Sequence, residues 1–178
     1  WITGKNIDKN VAALTKEYTE TKVSEDGTTL DIDLSLSSIP TAPVTVALAS
    51  SDKSEMTVKP ASMTFTPEDW DKPQKITVTG MDDVIVDGDI VSDLTLKVTS
   101  DDKNFGGDPE NDALNAIEDK IEITTLDNDT AAIVVIAEGA EVLENSGKKL
   151  EFKVVLSAQP EAPVTVSAKS NDESELKI

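Results

Sequence analysis

The sequence contains no cysteine and no histidine, and only 3% of its 178 residues are aromatic. Without these two residue types there can be no disulfide framework, no thiolate nucleophile, no Ser-His-Asp triad and no zinc site of the usual nitrogen and sulfur type. Metal binding by this chain must therefore use oxygen ligands, which favour hard cations such as Ca²⁺ or Mg²⁺.

Positive charge is also scarce. The 16 Lys and Arg residues face 35 Asp and Glu residues, which gives a formal net charge of −19. Such a charge repels phosphate backbones and anionic lipids, so we expect no nucleic-acid partner and no direct membrane insertion. No apolar run approaches the roughly 18 residues that span a bilayer, and we expect any export signal to lie outside this sequence.

An internal similarity divides the chain. Residues 42–46 (APVTV) recur at 162–166, a shift of 120, while Glu25 aligns with Glu144 at a shift of 119. The pattern predicts the tail of a preceding repeat at 1–10, a complete repeat at 11–129 and the first half of a following repeat at 130–178. Because half a repeat cannot bury its apolar face, we expect a longer tandem array.

Alternation of apolar and polar residues indicates the fold class. Leu30, Ile32, Leu34 and Leu36 alternate with polar residues, and similar patterns begin at Val44 and at Leu94. This period of two is typical of half-buried antiparallel strands. With further segments at 12–23, 56–66 (broken at Pro60), 74–79 and 117–126, it predicts about seven strands in an all-β, immunoglobulin-like antiparallel β-sandwich.

The direction of these strands predicts a metal site. If strands A to G alternate in direction, the A–B, C–D and E–F loops and the exit of strand G share one end. Eight carboxylates lie in those segments: Glu25, Asp52, Asp82, Asp83, Asp87, Asp89, Asp127 and Asp129. Like charges gathered closely repel one another unless a cation neutralises them, and six to eight oxygens suit Ca²⁺.

A generic acidic surface is the competing interpretation, in which carboxylates are scattered and solvated and bind no ion. The opposite end of the sandwich also carries acids, Glu68, Asp69 and Asp71, and the F–G loop carries several between 101 and 112. Because the F–G acids come from one segment, we expect them to be solvated.

The segments at 80–89 (GMDDVIVDGD) and 126–129 (LDND) resemble the Calx-β family, whose sandwich modules bind Ca²⁺. The resemblance implies that Glu25, Asp52, Asp82, Asp83, Asp87, Asp127 and Asp129 are ligands, with Asp89 replacing an acid usually found near Ile90. It extends to the second repeat through Glu144 and Asp172. Asn128 departs from the acidic triplet of the family, so we expect fewer or weaker ions.

The stretches at 63–80 and 104–107 are similar to the version of this module found in bacterial adhesin repeats of the RTX type. The resemblance implies a secreted or cell-surface protein in which Ca²⁺ stiffens a structural spacer used in adhesion. Its partners would be neighbouring repeats of the same chain and an unknown host or surface ligand.

Two other functions stay open. A Ca²⁺-sensing regulatory module would use the same site, and an adhesin ligand-binding domain would need a recognition surface, for which Trp70 is one candidate. Trp70 more often caps the core of such a sandwich. We expect no enzyme, because carboxylate pairs that cleave glycosides lie in aromatic-lined clefts and this chain has six aromatic residues.

Overall fold

The chain is built almost entirely from β-strands. The computed structural model describes residues 12–106, 118–137, 139 and 147–175. Within these ranges one helix, α1 (Lys103–Gly106), is four residues long, and no helix is long and apolar enough to cross a membrane. The strands are β1 (Leu14–Glu17), β2 (Lys22–Ser24), β3 (Thr29–Leu36), β4 (Val44–Ser50), β5 (Met56–Lys59), β6 (Ser62–Phe65), β7 (Gln74–Gly80), β8 (Ile90–Ser100), β9 (Glu118–Leu126), β10 (Ile133–Ala137) and β11 (Phe152–Leu156).

These strands belong to two compact units. The first contains the described residues up to Asp83 together with those between Gly88 and Asp127. The second contains Val84–Asp87 and the described residues from Asn128 onward.

Two sheets face each other in the first unit. One has the strand order β1-β3-β7-β5 and the other has the order β2-β9-β8-β4-β6. All neighbours are antiparallel except β2 and β9, which run parallel. This arrangement is an immunoglobulin-like sandwich, which confirms the predicted fold class.

The core of the first unit is aliphatic, as the low aromatic content predicts. Along β3, Leu30, Ile32 and Leu34 face the core and are at most 2% exposed, while Asp31 and Asp33 point outward. The opposite sheet contributes residues such as Val46 and Leu96, both fully buried. Trp70 is half-buried and packs against this core, in agreement with its expected capping position.

The structure corrects the prediction of one continuous strand over 12–23. This segment forms two short strands that join different sheets, since β1 pairs with β3 and β2 pairs with β9. Residues 15–22 are mostly polar, so the segment has no continuous apolar face that would hold it to one sheet. The predicted break at Pro60 is confirmed, because β5 and β6 lie on opposite sheets on either side of it.

The second unit contains the antiparallel pair β10 and β11. Ile133 lies opposite Leu156 and Val134 opposite Val155. In the first unit the corresponding pairs of β1 and β3 are Leu14 with Leu36 and Thr15 with Ser35. One hydrogen bond is also shared, because the Ala132 N–H donates to Ser157 Oγ (2.7 Å) as the Ala13 N–H donates to Ser37 Oγ (2.8 Å).

Candidate metal centre

Backbone hydrogen bonds join the four predicted ligand segments in two pairs at one end of the first unit. The Glu25 N–H donates to the Leu126 carbonyl (3.2 Å), which holds the turn after β2 against the end of β9. The Met81 N–H donates to the Glu55 carbonyl (2.8 Å), which holds the start of the β7–β8 loop against the β4–β5 loop. The strands therefore converge at this end as their directions predict.

The turn after β2 positions the first carboxylate. Residues 25–27 form the turn, which is closed by a hydrogen bond from the Gly27 N–H to the Ser24 carbonyl (3.1 Å). Gly27 has a φ of 84°, a backbone conformation that side chains with a Cβ rarely adopt. The turn places Glu25 in the interior, where only 2% of its surface is exposed.

At this end Asp83 lies beside Glu25 and also beside Glu55, and we call these three residues the Glu25–Glu55–Asp83 cluster. Oxygens of Glu25 and Asp83 lie within 4.8 Å of each other, and so do oxygens of Glu55 and Asp83. Glu25 and Glu55 are only 2% and 5% exposed, and Asp83 is half-buried. Asp83 thus joins two buried glutamates that lie far apart in the sequence.

The chemistry of this cluster favours a divalent cation. Removing a carboxylate from water is costly, and nearby carboxylates also repel each other. Ca²⁺ is bound by carboxylate and carbonyl oxygens at about 2.3–2.6 Å, so Asp83 can share an ion with Glu25 or with Glu55, whose oxygens lie within 4.8 Å of its own. Two carboxylates make a partial ligand set, which backbone carbonyls and water would complete.

The carboxylate of Asp52, a predicted ligand, accepts hydrogen bonds within its own loop. Its Oδ1 accepts hydrogen bonds from the Ser54 N–H (2.9 Å) and from Ser54 Oγ (2.5 Å). These bonds from Ser54 hold the pKa of Asp52 below its usual range. Asp172 accepts the same two bonds from Ser174 (3.0 and 2.6 Å). Neither Asp52 nor Asp172 belongs to a group of three neighbouring carboxylates within the described residues.

Asp89 and Asp127 join two segments at the same end. Asp127 Oδ2 accepts a hydrogen bond from the Gly88 N–H (2.8 Å), and Asp89 Oδ1 accepts one from the Asp127 N–H (3.3 Å). This reciprocal contact fixes the end of the β7–β8 loop beside the exit of β9. In the structure these two carboxylates hold the loops together.

The remaining predicted ligands are Asp82, Asp87, Asp129 and Glu144. Asp82 is exposed. Asp87 and Asp129 are counted with the second unit, where Asp87 is exposed and Asp129 is half-buried. Glu144 lies outside the described residues.

Glu55 is a site residue that sequence reasoning missed. It is flanked by Ser54 and Met56, and strand direction places its loop at the correct end. A usable indication was present, since Ser54-Glu55 recurs as Ser174-Glu175 in the internal similarity. Its position could not be foreseen, because residues distant in sequence hold its backbone: the Met81 N–H and Thr125 Oγ1 both donate to the Glu55 carbonyl (2.8 and 3.3 Å).

Asp102 corrects the expectation that the acids after β8 are all solvated. It is 3% exposed, and its carboxylate accepts hydrogen bonds from the Thr41 N–H (2.6 Å) and the Asn104 N–H (2.8 Å). Burial alone would raise the pKa of Asp102, but the hydrogen bonds from Thr41 and Asn104 outweigh it and lower the pKa. Asp102 is therefore a structural residue that joins two loops.

Comparison with known proteins finds similarity only among solved structures. No protein-family model and no curated protein matches the sequence. Among solved structures, SSP-19 of Caenorhabditis elegans, an MSP-domain-like protein, is 13% identical with a TM-score of 0.41, covering 59% of this chain and 92% of its own. The PapD-like domain 7 of human CEP192 is 9% identical with a TM-score of 0.47, covering 73% and 95%. The YadV chaperone is 12% identical with a TM-score of 0.46, covering 89% and 88%.

Proposed function

We propose that this chain is a calcium-binding β-sandwich module of a tandem-repeat protein that is secreted or displayed on the cell surface. In this role Ca²⁺ stiffens a structural spacer used in adhesion, and the chain is not an enzyme. The observation that carries the proposal is the Glu25–Glu55–Asp83 cluster, in which two carboxylates less than 6% exposed lie beside a third. An oxygen-ligated cation at this position offsets their burial and their mutual repulsion.

The tandem-repeat part of the proposal rests on recurring local structure. The pairing register of β10 and β11 repeats that of β1 and β3. The bond from the Ser50 hydroxyl to the Asp52 carbonyl (2.5 Å) recurs between Ser170 and Asp172 (2.8 Å). Agreement at separate strands and loops supports repeated copies of one module, whose partners are then neighbouring repeats.

A spacer gains stability only where Ca²⁺ is abundant, which favours an extracellular location. Extracellular modules bind Ca²⁺ with dissociation constants of roughly 10⁻⁴–10⁻³ M. At about 10⁻⁴ M, a millimolar Ca²⁺ medium adds about 1–2 kcal/mol to the free energy of unfolding. This is a substantial share of the roughly 5–15 kcal/mol that stabilises an ordinary domain.

Thermal unfolding of the 178-residue chain tests the metal site. We expect the unfolding midpoint to be roughly 3–10 °C higher in 2 mM Ca²⁺ than in a chelator. The variant Asp83→Ala should lose most of this difference, whereas the matched variant Asp71→Ala, at the opposite end of the sandwich, should retain it. An equal midpoint with Ca²⁺ and with chelator would contradict calcium binding.

A further inference from the structure

The second unit includes a short apolar segment that lies far from the rest of that unit in the sequence. Val84–Asp87 comes from the loop after β7, yet it belongs to the same compact unit as β10 and β11. The Gln159 N–H donates to the Val84 carbonyl (2.7 Å), and Ile85 and Val86 line one cavity with apolar residues of β10 and β11. We call Val84–Asp87 the docked segment.

The loop that receives the docked segment has a counterpart in the first unit. At its start the Ser157 N–H donates to the Ala132 carbonyl (3.0 Å), and Ser37 makes the equivalent bond at the same length in the first unit. Two residues after these serines come Gln159 and Ile39, and a proline follows each of them. Ile39 therefore holds in the first unit the position that Gln159 holds in the second.

Ile39 leaves this position open in the first unit. It is 62% exposed, and none of the described backbone carbonyls accepts a hydrogen bond from its N–H. A single exposed apolar residue is common and indicates nothing by itself. The equivalent position in the second unit shows what such a loop binds, namely a backbone carbonyl that is followed by apolar side chains.

We propose that the loop around Ile39 binds the counterpart of the docked segment from the preceding repeat of a tandem array. The Ile39 N–H donates to the carbonyl of the first apolar residue of that segment, and the Ile39 side chain packs against the apolar residues that follow. This inference rests on the tandem-repeat part of the proposed function. It adds which loop of one repeat contacts which loop of the next.

A weak contact is sufficient for this role. One hydrogen bond and a few apolar side chains give only a low affinity. Repeats joined by a short linker, however, meet at an effective concentration in the millimolar range. A dissociation constant of about 1 mM therefore keeps the loop bound for about half of the time or more.

Titration of the ¹⁵N-labelled 178-residue chain with a peptide of residues 82–88 (DDVIVDG) tests the proposal by NMR spectroscopy. The docked segment of the chain itself is held by the second unit, so it does not compete for Ile39. A chelator prevents Ca²⁺ from bridging the acidic peptide and the acidic chain, and about 0.3 M salt screens their repulsion. We expect the Ile39 amide signal to shift and to saturate with a dissociation constant of roughly 1–10 mM.

Matched variants locate the contact. Ile39→Asp should weaken peptide binding about tenfold or more, because it removes the apolar surface and adds a charge. Val91→Asp should leave binding unchanged, since Val91 is equally exposed (61%) but lies near the start of β8, at the other end of the sandwich. A peptide carrying Ile85→Ser and Val86→Ser should also bind about tenfold more weakly. Circular dichroism verifies that each protein variant is folded.

The proposal is overturned if the Ile39 signal does not move at peptide concentrations up to about 10 mM, or if only signals around Gln159 move. It is equally wrong if the serine-substituted peptide binds as well as the original. Because the titration is made in chelator, its outcome is separate from that of the metal site. A chain that binds Ca²⁺ but not the peptide loses only this contact, whereas peptide binding without a Ca²⁺-dependent rise in the unfolding midpoint contradicts only the metal site.

Discussion

Gly80 lies directly against the backbone of Ser24. A Cβ on Gly80 would stand 2.1 Å from the Ser24 carbonyl oxygen, far inside van der Waals contact. Gly80 ends β7 in one sheet and Ser24 ends β2 in the other, so this contact brings the two sheets together at the end that carries the Glu25–Glu55–Asp83 cluster. It also places Asp83, three residues after Gly80, beside Glu25.

Replacing Gly80 with alanine should therefore affect both stability and metal response. The added methyl group forces β2 away from β7, and we expect a loss of about 1–3 kcal/mol in the free energy of unfolding, as in overpacked cores. The Ca²⁺-dependent rise in the unfolding midpoint should shrink as Glu25 moves away from Asp83. Chemical denaturation with and without Ca²⁺ measures both effects, and an unchanged stability would contradict the close contact.

Neutralising the buried glutamates should have opposite effects with and without metal. In a chelator, the E25Q/E55Q variant should unfold at a higher temperature than the unaltered chain, because the repulsion between the three carboxylates is reduced. In Ca²⁺ the advantage should disappear, because the ion loses charged ligands. Differential scanning calorimetry provides the comparison.

Glu68→Gln is the matched control for this pair of substitutions, since Glu68 is exposed at the other end of the sandwich. It should leave the Ca²⁺-dependent shift intact. If the Ca²⁺-dependent shift of E25Q/E55Q equals that of the unaltered chain, the metal is bound elsewhere.

Asp102 should contribute to stability in a pH-dependent way. Its folded pKa is lowered from an ordinary value of 3.8, so its contribution is fully present above that value and is lost as the pH falls through the folded pKa. Asp102→Asn should cost about 1–3 kcal/mol at pH 7, because an amide group cannot accept both backbone hydrogen bonds. Urea denaturation at pH 7 and at about pH 2.5 should show the difference shrinking in acid.

Asp101→Asn serves as the control, because Asp101 is the exposed neighbour. Asp101→Asn should lower the free energy of unfolding only slightly at both pH values. Asp31, Asp52 and Asp69 also have lowered pKa values and act in the same direction. The quantity to compare is therefore the difference in free energy of unfolding between each variant and the unaltered chain. If the loss caused by Asp102→Asn does not become smaller in acid, the structural role assigned to the Asp102 carboxylate is wrong.

Two equivalent positions should respond differently to truncation. Leu34 pairs with Lys16 in the first unit and is fully buried, while Val154 holds the matching register position in the second unit and is 43% exposed. Leu34→Ala should cost about 2–5 kcal/mol, and Val154→Ala should cost less than about 0.5 kcal/mol. Equal losses in chemical denaturation would contradict these burial states.

Most strands of the first unit could be predicted because the alternation of apolar and polar residues that indicates a strand lies within the strand itself. The alternation around Leu30, Val44 and Leu94 fixes which residues face the core, and β3, β4 and β8 follow it. The sequence around 15–22 carries no such alternation, so the change of sheet between β1 and β2 was not predictable. That change depends on tertiary pairing, since β1 forms the edge beside β3 in one sheet and β2 forms the edge beside β9 in the other.

The candidate site was predictable only in part. Strand direction brought the correct loops to one end, because direction follows from counting strands. Within those loops, Glu55 was overlooked and Asp52 proved to bind Ser54 in its own loop. Such choices depend on where each side chain points, which is set by turns and by contacts with residues distant in sequence.

The sequence alone determined that any metal chemistry here uses oxygen ligands, that the strands are half-buried and aliphatic, and that acidic loops gather at one end. These properties follow from the composition of the chain and from the alternation of apolar and polar residues, which can be read over a few residues at a time. The tertiary structure decided which carboxylates lie beside one another, because Asp83 approaches the buried Glu25 and the buried Glu55 only after β2, β5 and β7 pack. It likewise decided that Val134 and Val155 share one face of the β10–β11 sheet, since cross-strand register is a property of the paired sheet.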